Sequence, residues 1–102
     1  MSLTESVRTE IPVPNASDDP VIRQFRDQIS DIDLKIVEAV NKRLGLVRQL
    51  KSYKAQHGVA FVDAAREEWM LTFVQRANKG PLSSDGLAEL YRHIVEVSKR
   101  EA

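Results

Sequence analysis

From Ile22 the apolar positions recur at alternating steps of three and four: Ile22, Phe25, Ile29, Ile32, Ile36 and Ala39, then Leu46, Leu50 and Tyr53. Arg43 stands where the next apolar residue is due. This is a heptad seam, and it predicts one helix from about residue 21 to about residue 56. At 1.5 Å per residue that helix is roughly 50 Å long, against a radius of gyration near 13 Å for a compact 100-residue domain. A chain this short cannot cover such a seam from within, so the pattern predicts a second chain against it. Gly45 lies inside the helix, where glycine costs about 1 kcal/mol relative to alanine, a cost that a closely packed neighbour would offset.

Gln56-His57-Gly58 reads as a helix stop, with Gly58 supplying the left-handed residue that often follows a C-terminus. Asp63 is placed to cap a second helix that runs to about Asn78, with Trp69, Met70, Phe73 and Val74 as its apolar candidates. Gly80-Pro81 breaks the chain, and Ser83 or Ser84 can cap a third helix. Its face is Leu87, Leu90, Tyr91, Ile94 and Val97. No segment reads as a strand. The expected class is all-α: a three-helix chain with one very long N-terminal helix, paired as a homodimer. Residues 1–20 hold Pro12, Pro14 and Pro20 among polar residues without an apolar period, which predicts a mobile extension ahead of a helical domain at 21–102.

Charge and composition narrow the function. Fifteen Lys and Arg balance fifteen Asp and Glu, so the chain has no basic footprint of the kind that follows a nucleic-acid backbone. The extension is acidic, which leaves the helical body mildly positive and suited to an anionic ligand. Without cysteine there are no disulfides or thiolate metal sites, and a reducing compartment fits. No run approaches the roughly twenty apolar residues of a membrane span, so a cytoplasmic protein is expected. His57 and His93 have no partner at metal-ligand spacing, and no phosphate loop or nucleophile set is present.

Arg43 and Lys54 are eleven residues apart. On a helix that is about 20° past three turns, so the two cations share a face about 16 Å apart. The pair would cradle a small dianion, although Arg43 alone could set register or snorkel, and Lys54 alone could be a solvated lysine. Arg26 precedes Arg43 by seventeen residues. It is therefore about 25 Å away and roughly 100° off that face, so the two could meet at one ligand only from two chains. Asp63, Arg66 and Glu67 lie at i, i+3 and i+4 on one helix face, either as a cap with a local ion pair or as ligand contacts.

The ordered set Phe25-Arg26-Asp27-Gln28-Ile29-Ser30-x-Ile32-Asp33, Asn41-Lys42-Arg43, Lys54 and Asp63-x-x-Arg66-Glu67 resembles the all-helical family of chorismate mutases over roughly residues 21 to 99. The resemblance implies an entwined dimer with two sites, each completed by the arginine of the partner's first turns. The implied reaction, chorismate to prephenate in aromatic amino acid biosynthesis, is a pericyclic rearrangement that needs no cofactor or metal. Catalysis would then rest on holding a near-attack conformer and stabilising charge on the breaking ether bond.

By the same resemblance, Arg26 of one chain and Arg43 of the other would bind the two carboxylates, and Lys54 would donate to the ether oxygen. Asp63 through its backbone N–H and Glu67 through its carboxylate would hold the ring hydroxyl. Arg66 would close the site beside a carboxylate, and Ser98 would line it.

One position departs from the family pattern. Bacterial relatives commonly carry Gln or Glu one turn after that serine as a second donor to the ether oxygen, and here that position is Ala102. Some relatives are activated by the first enzyme of the shikimate pathway, which makes such a partner an expectation here too. Alternatives on the same fold are an isochorismate pyruvate lyase and a 4-amino-4-deoxychorismate mutase. An alternative of another class is a non-catalytic helical dimerisation module.

Overall fold

The computed structural model describes residues 19–102, which form three helices. They are α1 (Pro20–Gln56), α2 (Ala64–Ala77) and α3 (Ser84–Glu101), with no strand among the described residues. The extension expected over residues 1–20 lies outside the described residues, apart from Asp19 and Pro20, which instead open α1. Asp19 Oδ1 accepts the Val21 N–H at 2.8 Å, and Pro20 takes the first helical position, where its missing N–H removes no intrahelical bond. No helix among the described residues is long and apolar enough to cross a membrane.

Each helix ends where local chemistry requires. At the end of α1 the Val59 N–H reaches back to the Lys54 carbonyl at 2.9 Å, with Gly58 in the left-handed region at φ 66°. That six-to-one closure fixes the last turn around Lys54. His57 Nδ1 lies 2.8 Å from the Tyr53 carbonyl and its ring stacks on the Tyr53 ring at 3.9 Å, so this histidine secures the same turn. Asp63 caps α2 as expected, its Oδ1 accepting the Arg66 N–H at 3.0 Å. Asn78 ends α2 and staples the following turn, donating from Nδ2 to the Leu82 carbonyl at 2.8 Å and accepting the Gly80 N–H at 3.0 Å. Of the two candidate serines it is Ser83 that caps α3, its Oγ accepting the Gly86 N–H at 3.0 Å.

By its internal contacts the chain divides into two units, Met1–Asn41 and Lys42–Ala102, with the boundary inside α1. In the described part of the first unit the apolar seam lies open: Phe25 is 61% exposed and Ile29 57%. The second unit holds the last turns of α1 together with α2 and α3, and only Ala88 and Ser98 are buried among the described residues. The close neighbour expected at Gly45 is absent within the described residues, since a Cβ built there meets nothing within 4 Å.

Candidate active site

The second unit carries an open-sided cavity of about 300 Å³. α1 contributes Arg43, Val47 and Leu50, at i, i+4 and i+7. The lining stripe therefore shares Arg43 and Leu50 with the heptad line and leaves it at Val47, while Leu46 and Tyr53 on that line stay 58% and 59% exposed. Phe61 and Val62 of the connection form a second wall, and α2 adds Arg66, Glu67 and Met70. α3 closes the cavity with Tyr91, Val95, Ser98 and Lys99.

Arg43 is half-buried, and its Nη1 donates to Ser98 Oγ at 2.7 Å. The Ser98 hydroxyl in turn donates to the Ile94 carbonyl at 2.7 Å. This relay holds the guanidinium in place yet uses few of its five N–H donors, and it leaves the charge unneutralised. Tyr91 lies beneath the same group, its ring centroid 6.0 Å from Arg43 Cζ. Arg66 is positioned otherwise: its guanidinium lies over the Trp69 ring at 4.7 Å while its backbone N–H serves the Asp63 cap. Among the described residues no carboxylate pairs with Arg43 or Arg66.

Glu67 is the one carboxylate in the cavity wall, and Lys99 Nζ lies 2.7 Å from its Oε1. Three cations face one anion there, so two positive charges remain unbalanced in a cavity whose other walls are largely apolar. Such surroundings strengthen attraction for a small dianion and accept its hydrocarbon frame.

Arg43, Arg66, Glu67 and Ser98 of the expected set thus meet at one cavity. Lys54 is half-buried, and its ammonium donates at 3.4 Å to the carbonyl of Phe61, itself a lining residue. Asp63 stands at the α2 cap, outside the cavity lining. Arg26 lies in the second turn of α1, in the first unit. Ala102 does fall one turn after Ser98, its N–H bonded to the Ser98 carbonyl at 2.9 Å, so only a methyl group occupies that position.

Lys99 is a further site residue that the sequence reading passes over. It follows Val95 by four residues, off the apolar series Leu87, Leu90, Tyr91, Ile94 and Val97, so the apolar spacing gives no signal for it. Arg48 lies outside the cavity lining, and its Nε and Nη2 donate to the Glu101 carbonyl at 3.3 and 3.0 Å, tying the end of α3 to α1.

Comparison with known proteins agrees with this geometry. A bifunctional chorismate mutase/prephenate dehydratase of Pseudomonas aeruginosa is 27% identical over 84 residues, covering 78% of this chain and 23% of the relative. The protein of the same name from Buchnera aphidicola is 35% identical over 75 residues, covering 72% of this chain and 20% of the relative. The chain thus spans less than a quarter of the length of these curated relatives. A chorismate mutase structure from Thermus thermophilus superposes with a TM-score of 0.74 at 25% identity, covering 76% of this chain and 96% of that one. The family model described as chorismate mutase type II matches residues 25–102, and on that match the chain belongs to the chorismate mutase type II family.

Proposed function

We propose that this chain is a chorismate mutase, converting chorismate to prephenate. The observation that carries the reading is the charge of the cavity: Arg43, Arg66 and Lys99 against Glu67 leave two positive charges for a dicarboxylate. Chorismate rearranges by breaking its ether C–O bond as a C–C bond forms in the same molecule, with no proton transferred and no outside nucleophile. The protein's task is to hold the reactive conformer and stabilise the charge that grows on the ether oxygen. Arg43, pre-positioned by Ser98, takes one carboxylate, and the planar guanidinium suits a bidentate pair. Glu67 accepts from the ring hydroxyl. Lys54 serves the ether oxygen: its bond to the Phe61 carbonyl is long at 3.4 Å, so exchanging that partner for a substrate oxygen costs little.

The second carboxylate falls to Arg26 of a partner chain in an entwined homodimer. The support is the exposed apolar seam, which a second copy would cover, and the seventeen-residue offset of Arg26 from Arg43 along one helix. A cytoplasmic setting suits a cysteine-free chain. An activating shikimate-pathway enzyme belongs to the same reading, because Ala102 cannot supply the second donor to the ether oxygen.

The test is the fate of chorismate with the purified chain. We expect saturable loss with prephenate as product, whereas aromatic acid plus pyruvate, or no turnover, would reject the reading. Arg26→Ala and Arg43→Ala should each be nearly inactive as homodimers, and mixed dimers should regain about one working site in two. If mixing restores nothing although exchange is verified, the two-chain site is wrong.

A further inference from the structure

We propose that Lys99 is a positioning residue: its ammonium holds the Glu67 carboxylate in place to receive the substrate's ring hydroxyl, an inference that rests on the mutase reading. Lys99 Nζ lies 2.7 Å from Glu67 Oε1, and both residues line the cavity. Their side chains are 38% and 33% exposed, too open for the pair to matter much to folding. Its value lies in where it puts the carboxylate.

Glu67 is a lone anion in a wall that also carries Arg43 and Arg66, and Arg66 is its neighbour in sequence. Unrestrained, the carboxylate would be drawn to a guanidinium and cancel a charge that the dianion needs. Lys99 prevents this by occupying Oε1, while Oε2 keeps its lone pairs for the hydroxyl. The hydroxyl and the ether oxygen of chorismate sit on adjacent ring carbons, so an error at Glu67 passes directly to the breaking bond. α3 is suited to this role because Ser98, next in the chain, is buried against Arg43, and Arg48 holds the Glu101 carbonyl. One helical turn thus sets both the arginine and the glutamate.

Lys99→Met should lower kcat/KM by about tenfold to a hundredfold, the range expected when a reacting group is displaced by an ångström or so. Lys99→Arg should restore most of the loss, and circular dichroism and melting should stay near wild type. The deciding measurement is the same change in a Glu67→Gln background, where Lys99→Met should alter kcat/KM by no more than about twofold because the carboxylate it holds is gone. An equal loss in both backgrounds would overturn the proposal and make Lys99 a direct substrate contact. A loss that follows melting and is not rescued by arginine would overturn it in favour of a structural role. If the wild-type chain turns over no chorismate, the mutase reading itself fails and this inference falls with it.

Discussion

The two halves of α1 carry the same apolar rhythm in different surroundings. In residues 20–41, Ile22, Phe25, Ile29, Ile32 and Ile36 are each between 42% and 61% exposed. In residues 42–56 the seam residues Leu46, Leu50 and Tyr53 are as open, at 49% to 59%, but Arg43, Val47 and Lys54 are half-buried, beside the cavity or next to its wall. Periodicity specifies which residues share a face and is silent on what will cover that face. In the second half α2 and α3 flank a stripe through Arg43 and Val47 but leave Leu46, Leu50 and Tyr53 open, and in the first half the seam residues are open among the described residues. Each large apolar residue buried fully on association would contribute about 1.5–3 kcal/mol, so a partner would draw its binding energy from the open seam positions of both halves.

The sharpest way to break this comparison is to charge the seam. Ile29→Asp with Ile32→Asp should abolish association and with it most of the helical signal, since a lone chain with only Ala88 and Ser98 buried among its described residues has almost no core. Sedimentation and circular dichroism at micromolar concentration would read the outcome. A double variant with wild-type mass and helicity would mean that the seam is not an interface.

In the second half the effect moves from folding to rate. Lys54→Ala should leave helicity intact and lower turnover by about a hundredfold, with a smaller change in independently measured binding, because a donor to growing charge acts mainly on the barrier. Unchanged turnover with only a raised KM would reduce Lys54 to an anchor for the anion.

The smallest expected change is at Gly45. The site faces away from the heptad line and a Cβ there meets nothing within 4 Å, so Gly45→Ala should raise stability by about 1 kcal/mol, seen as a rise of a few degrees in Tm. A fall in Tm would show that a neighbour does pack there.

Much of this is legible in the residues themselves. The helix boundaries follow from signals that act within four residues: the Asp63 and Ser83 caps and the left-handed Gly58. Arg43 stands out because a charge in an apolar series is costly without a partner, and its bond to Ser98 spans 55 positions, a pairing no local pattern could give. Lys99 escapes notice for a related reason. Its meaning comes from Glu67 on another helix, and alone in sequence it is one of fifteen basic residues. The heptad reading also merges two stripes on α1, because Arg43 and Leu50 belong to both the open seam and the cavity wall.

The stacking around Trp69 gives the chain a built-in optical reporter. It is the only tryptophan, it stacks on Phe73 at 5.3 Å, and the Arg66 guanidinium lies 4.7 Å above its ring. Indole emission responds to nearby charge, and Arg66 is also part of the cavity wall. An anion that drew the guanidinium toward the cavity would change the field at the indole, so titrating chorismate is expected to shift the emission of this single native fluorophore, and an unchanged spectrum at saturation would show that Arg66 stays on the ring.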